Sequence, residues 1–360
     1  MKKITGALTI LFLIGGIIGY LYPIKSEMRP YTLNYNHAAI NIHMTYTKKL
    51  SNPTYPLGEK YLAEDMMYVL REMGIDAKLY TWEETYSNRN FREGYEIYLR
   101  FYPELQLPKY HDYFDEDRIG ILVETIPYKL EEVKNADLIF TGSLKKDREY
   151  KAMGLVSHFL PQFTRTDKFY YAPREEYKNK LLFIGNQWNS MPIRNTVKYA
   201  LRNNLDVAVY GAGWKKYIGG KPGEGIWKAK QIPGDELKYY YSSADIVLND
   251  TRPEMIEAGF ISNRIFDVTA CKGFIISDYI PEIGELYGDA IPMYKTEEEF
   301  LKLIDYYLVH PEERREKAQR AYEITVKNFN AKKVIGDMWQ KMEDYRKQRG
   351  LRGTEIWPEK

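Results

Sequence analysis

The stretch SNRIFDVTACKGFIISD (residues 262–278) puts two charges, Arg264 and Asp267, into the opening turns of a helix that runs into a buried strand. Ser262 or Asn263 suits the N-cap, and Gly273 suits the stop. A helix opens with N–H groups that lack intrahelical partners and with the positive end of its dipole, so an anion fits there. Arg264, on the first turn, can add bidentate recognition of phosphate. Asp267, three residues on and on the same face, is placed to accept hydrogen bonds from paired hydroxyls such as a ribose presents. Together the residues describe a grip on a nucleoside diphosphate. The plainer alternative is a surface ion pair between the two side chains, worth roughly a few tenths of a kcal/mol. Spacing alone leaves both open.

Such a grip needs a parallel sheet, because doubly wound folds bind ligands where helices start at the carboxyl edge of the strands. The flanking residues supply one: DIVLND (245–250) reads as a strand, DTRPEMIEAGFI as a loop, and FIISD as the next strand. Upstream, LLFIGN (181–186) is an apolar strand ending in Gly185 and Asn186. A helix over 194–204 follows, then LDVAVYGAGW (205–214), a strand running into a glycine turn at Gly211, and a helix over 231–244. The amino half alternates in the same way. Strands are expected at 38–46, 76–82, 95–102, 118–127, 137–143 and 156–164, with helices at 57–74, after 127 and after 143. Alternating strands and helices mean crossover units and mostly parallel sheets. The polar stretch FYYAPREEYKNK (169–180) separates the halves, and helices over 297–308, 311–329 and 331–348 close the chain.

The 360 residues, 44% hydrophobic, are enough for about two domains. With 52 basic and 50 acidic side chains the net charge is +2, which gives no electrostatic case for nucleic acid. Cys271 stands alone, excluding an intrachain disulfide and a cysteine-based zinc site. Residues 4–22, ITGALTILFLIGGIIGYLY, carry no charge, and about 20 apolar residues span a bilayer as helix. An uncleaved single-pass anchor is expected, with a cleaved signal peptide as the alternative. Lys2 and Lys3 on one side nearly balance Lys25 and Arg29 on the other, so flanking charge leaves the orientation open.

The block VLND…GFISNRIFDVTACKGFIISDYIPEIGEL resembles the carboxyl-terminal domain of group 1 glycosyltransferases of the GT-B fold, nearest the spore-maturation-protein-like branch. VYGAGW followed by IPGDELKYYYSSADIVLN is similar in order and spacing, and the likeness covers about 180–345. The resemblance implies an α/β fold of two Rossmann-like domains facing across a cleft. Its parts would be an anchor over 1–24, an acceptor domain over 25–175 and a nucleotide-sugar-binding domain over 180–330. The helix 331–348 would pack back on the first domain. It further implies transfer of a sugar from a nucleotide-diphosphate sugar to a hydroxyl on a glycan or lipid-linked acceptor, with no metal and no cofactor beyond the donor. Ser262, Asn263 and Arg264 stand at the diphosphate-binding helix start. Asp267 stands where the family has the Glu that holds the ribose, and Gly185 and Asn186 stand at the glycine turn facing the cleft. Gly211 and Asn249 close the expected donor site. The first Glu of the wider family's E-x7-E motif would fall at Gly259, a loss that puts a retaining mechanism of that type in doubt.

GAGWKKYIGG (211–220) lacks the G-x-G-x-x-G spacing of a dinucleotide loop, and DED (115–117) precedes a strand where a metal-binding D-x-D would end one. A general base would come from the amino half, which holds His37, His43, His111 and His158; Glu59 and His43 are the candidates there. Two other readings share the fold: a non-catalytic, membrane-tethered glycan-binding protein and a sugar-nucleotide epimerase. Because nucleotide sugars are made in the cytosol, residues 25–360 are expected on the cytoplasmic side, or in the Golgi lumen of a eukaryote. The sequon Asn249-Asp250-Thr251 falls inside the expected site and weighs against the lumenal arrangement.

Overall fold

The computed structural model describes residues 34–42, 58–81, 93–99, 119–134, 136–187 and 191–351. The expected anchor, His43, His111 and the acidic triplet at 115–117 lie outside the described residues. Among the described residues no helix is long and apolar enough to cross a membrane.

The first sheet holds β1 (Asn34–Ile42), β2 (Asp76–Thr81), β3 (Glu93–Leu99), β4 (Ile119–Glu124), β5 (Leu138–Thr141) and β6 (Ser157–Phe159). They lie in the order β2-β1-β3-β4-β5-β6, every pair parallel. Parallel strands covered on both faces read as apolar runs. IGILVE of β4 is buried at all six positions, its one charge kept for the carboxyl end. Helices α1 (Gly58–Glu72), α2 (Leu130–Val133) and α3 (Leu144–Ala152) make the crossovers.

The second sheet holds β7 (Leu181–Ile184), β8 (Val207–Tyr210), β9 (Trp227–Ala229), β10 (Ile246–Leu248), β11 (Ile275–Asp278) and β12 (Met293–Tyr294). Its order is β12-β11-β10-β7-β8-β9, all parallel, which is the doubly wound order with the first strand in the middle. Helices α4 (Asn195–Arg202), α5 (Lys215–Ile218), α6 (Leu237–Ser243), α7 (Pro253–Ala258), α8 (Asn263–Ala270) and α9 (Pro281–Tyr287) surround it. The segment expected to be a loop before α8 contains α7. Pro253 opens that helix, where its missing N–H costs nothing, and Gly259 ends it in the left-handed region at φ 76°. The short elements β12 and α9 are not expected from the sequence, since two and seven residues carry little periodicity.

Three helices finish the chain: α10 (Glu297–Val309), α11 (Pro311–Asn328) and α12 (Ala331–Gln348). Between α11 and α12 the chain returns to the first lobe. Thr164 N donates to Phe329 O at 3.0 Å, and Ala331 N donates to Thr164 O at 2.8 Å. Val334, Ile335, Met338 and Met342 of α12 then enter the same core as Met66 and Leu70 of α1 and the residues of β1 and β3.

Candidate functional site

β7 and β10 are neighbours whose onward connections leave to opposite sides of the sheet, so their carboxyl ends open a crevice. α8 begins above it. Ser262 is the N-cap, extended at φ −63° and ψ 137°, and its Oγ accepts from Arg264 N at 3.4 Å. Five of the eight helix residues, Ile265, Phe266, Val268, Thr269 and Ala270, are buried, which fixes the helix against the sheet and aims its first turn at the crevice.

The Arg264 side chain runs into that crevice. Its Nη1 donates to Asn249 Oδ1 at 2.6 Å, and the guanidinium lies 5.1 Å from the centre of the Phe183 ring. A Cβ on Gly185 would sit 2.8 Å from Nη2, so the glycine at the end of β7 is what leaves the arginine its place. Burial pulls the Arg264 pKa down; the neighbouring Tyr241 hydroxyl and the Asp250 and Asp278 carboxylates oppose this and Arg194 reinforces it. Arginine keeps its proton even so. No carboxylate among the described residues forms an ion pair with it. A desolvated guanidinium without a counter-ion is a site that an anion completes.

Asn249 is fully buried and holds Arg264 from below. Its Nδ2 donates to Ser277 Oγ at 2.9 Å, and Ser277 Oγ donates to Asp278 Oδ1 at 3.0 Å. Thr251 N closes the chain on Asp278 Oδ2 at 2.7 Å. Burial, with Asp250 nearby, pushes the Asp278 carboxyl up to about 6. Gly211, at φ 134°, packs backbone to backbone, since a Cβ there would fall 2.1 Å from Gly185 O. Asn186 Oδ1 accepts from Ala212 N at 2.9 Å and ties the same two turns together. Gly211 and Asn249, expected at the ligand, therefore spend their polar groups within the protein and shape the floor of the crevice.

The ion pair between Arg264 and Asp267 does not form. Asp267 faces the other lobe, where Thr164 Oγ1 donates to its Oδ1 at 2.8 Å and Asn263 Nδ2 donates to its Oδ2 at 2.9 Å. The two residues share a helix face, but the long arginine reaches across to β10 while the short aspartate meets the link between lobes. Burial pushes the Asp267 carboxyl up to about 7, with Asp65 adding to the shift and Thr164, Asn263 and Lys168 opposing it.

Two residues at this site are not among the expected ligand-binding residues, although Asp250 lies within the VLND block. Arg194, just before α4, pairs through Nη1 with Asp250 Oδ1 at 3.1 Å, and Thr196 N donates to Asp250 Oδ2 at 3.3 Å. Beside them a cavity of about 340 Å³ opens between the turns after β7 and β10, lined by Gln187, Met191, Arg194, Asp250, Pro253 and Ile256 among others. A basic residue at a helix start after a glycine turn was the available clue. Two histidines of the amino half are engaged within the first lobe. His37 Nδ1 pairs with Asp76 at 2.9 Å within the sheet, and His158 packs 5.7 Å from Phe140 with its pKa lowered by burial. Glu59 lies in the first turn of α1, and His43 is outside the described residues. An acid in place of Gly259 would be strained at φ 76° and would have to displace the Glu282 carboxylate, 2.2 Å from the Cβ position.

This arrangement can be set beside known proteins. Residues 192–340 match the family described as glycosyl transferase-like. A spore protein of Bacillus subtilis (strain 168), CgeB, is 28% identical over 221 residues, covering 56% of this chain and 66% of that protein's length. Among solved structures, sucrose-phosphate synthase from Thermosynechococcus elongatus aligns with a TM-score of 0.64 at 10% identity, covering 85% of this chain and 98% of its own. Anabaena HepE in complex with UDP gives 0.60 at 10% identity, over 85% and 100%. T4 phage β-glucosyltransferase gives 0.53 at 12% identity, over 86% and 99%. At such identities the likeness is one of fold. Two parallel α/β lobes joined through a returning last helix give this chain the GT-B fold, and its second lobe is similar to the glycosyl transferase-like family.

Proposed function

We propose that this protein transfers a sugar from a nucleotide-diphosphate sugar to a hydroxyl of a glycan or lipid-linked acceptor. The observation that carries the reading is the buried Arg264 guanidinium, without an ion pair among the described residues, at the switch point of the second sheet beside the opening turn of α8. Pyrophosphate would meet that turn and the guanidinium, and Asp267 would meet the ribose. Charge building on the leaving diphosphate is then stabilised by fixed dipoles and a fixed cation, so the reading needs no obligatory metal. UDP in HepE, and the glycosyl transferase-like match, support the donor class. The acceptor would enter from the first lobe, with Glu59 or His43 as the candidate base. Residues 4–22 would anchor the chain, leaving the lobes in the cytoplasm with the pool of nucleotide sugars.

The test is binding and turnover of UDP-, GDP- and TDP-sugars with EDTA present. Release of nucleotide from one donor, faster with a glycan acceptor, is the expected result. Binding of no nucleotide at all would sink the reading in favour of a glycan-binding protein, and conversion of donor without acceptor would point to an epimerase. Protease protection in sealed membranes reports the side on which the lobes lie.

A further inference from the structure

The hydrogen bonds beneath Arg264 can run in one direction only. A guanidinium has no acceptor, so Nη1 must donate, and Asn249 has to offer its amide oxygen, 2.6 Å away. The amide nitrogen then points at Ser277 Oγ, 2.9 Å off, and the hydroxyl oxygen has to accept. Its own hydrogen is left for Asp278 Oδ1 at 3.0 Å. Thr251 adds two more donors, N to Oδ2 at 2.7 Å and Oγ1 to Oδ1 at 3.2 Å. An ionised carboxylate only accepts and satisfies all three, whereas a protonated one brings a further hydrogen into a shell of donors. Asn249 N donates to Ile276 O at 2.9 Å, which holds the backbone under the amide. Asn249 and Ser277 are fully buried, and the two ends of a carboxamide have nearly the same shape. The chain of donors and acceptors therefore decides which end meets the arginine.

We propose that Asp278 is a positioning residue for Arg264: by accepting from Ser277 it turns the oxygen of Asn249 toward the guanidinium and holds that cation ready for the diphosphate. The inference rests on the proposed function above. Asp278 lies at the end of β11, two side chains from the arginine, and acts through them. The charged and titratable groups that face it are Asp250, paired with Arg194, at the end of β10, Arg264 from α8 and Tyr294 from β12. Of the other charges nearby, Arg252 pairs with Glu254 at 3.0 Å and Lys295 lies 4.0 Å from the centre of the Tyr279 ring. Burial and Asp250 place the Asp278 carboxyl at about 6, so it is ionised at neutral pH and gains a proton as pH falls through that value. Arg264 keeps its charge throughout. The grip on a diphosphate should therefore be full above about pH 7 and weakest below about pH 5, while the guanidinium that makes it stays charged.

Calorimetry with UDP-glucose, GDP-mannose and TDP-glucose at pH 8 and pH 5 tests this, because both phosphates of a nucleotide sugar are diesters and keep their charge over that range. For the donor that wild type binds most tightly, Asp278→Asn should bind about tenfold more weakly than wild type at pH 8 and within about twofold of it at pH 5. Taking the ratio at each pH cancels Asp267, whose carboxyl titrates in both proteins. Ser277→Ala should show the same two ratios, and it carries the test if melting curves show that Asp278→Asn does not fold. Asp278→Asn added to Ser277→Ala should cost less than about twofold at pH 8, since the carboxylate is already cut off from Asn249. A tenfold cost in that background would mean that Asp278 acts by its field alone. A ratio equal at the two pH values would mean that it only shapes the floor of the crevice. Either result, or variants that bind as wild type does, overturns the proposal and leaves the glycosyltransferase reading standing. A wild type that binds none of the three donors takes both down.

Discussion

Arg264 and Asp267 sit one turn apart and do different work. Arg264→Ala should lower kcat by about a hundredfold or more, the scale at which one preorganised oxyanion donor acts. Arg264→Lys should recover little of it, because an ammonium cannot reproduce a planar fork held over Phe183 by Asn249. Asp267→Ala should instead raise the donor KM, and steady-state kinetics separates the two. The Asp267 carboxyl titrates near 7 when folded against 3.8 when free, so between those pH values the folded state holds a proton that the unfolded state has lost. Stability from this group is therefore greatest below about pH 4 and declines as pH rises to about 7. Asp267→Asn should flatten that decline in denaturant titrations at pH 5 and pH 7.5. An unaltered slope would mean that the carboxyl is ionised throughout.

At the level of elements, the glycine turn after β7 and the opening of α8 must fit each other. Gly185→Ala places a methyl 2.8 Å from Arg264 Nη2 and 3.1 Å from the Phe183 ring, so the guanidinium must leave its seat. Nucleotide affinity should fall about tenfold while the melting temperature moves little, since the flexible end of an arginine can yield where backbone cannot. Gly211→Ala faces Gly185 O at 2.1 Å with φ at 134°, and should fail through folding instead. Calorimetry on the first variant and a thermal melt on the second distinguish a binding glycine from a structural one.

Across the whole molecule, the last helix belongs to the core of the first lobe. Met338 is 1% exposed among residues of β1, β3 and α1, some 240 positions or more away in sequence. Met338→Ala should cost about 2–5 kcal/mol in urea unfolding. Its effect should appear in probes of the first lobe, such as exchange protection of β1 and β3, before it appears at α8. If exchange rose only in the second lobe, the helix would be bracing the wrong half. The returning segment also carries Ala331 and Phe329 to Thr164, whose hydroxyl holds Asp267, so one residue joins the link between lobes to the candidate site.

Sequence alone determined the alternation of strands and helices, the restart near residue 181, the capped helix at Ser262 and the three closing helices, because each rests on periodicity and capping within a dozen residues. Tertiary structure decided the partners. Arg264 and Asp267 looked equally ready to pair, and only the placement of Asn249 and Thr164, 15 and 103 positions away, sent them apart. Arg194 and Asp250 gained meaning the same way, through neighbours supplied by strand order. Short-range pattern fixes which element forms; what a charge faces depends on long-range contacts that no local pattern records.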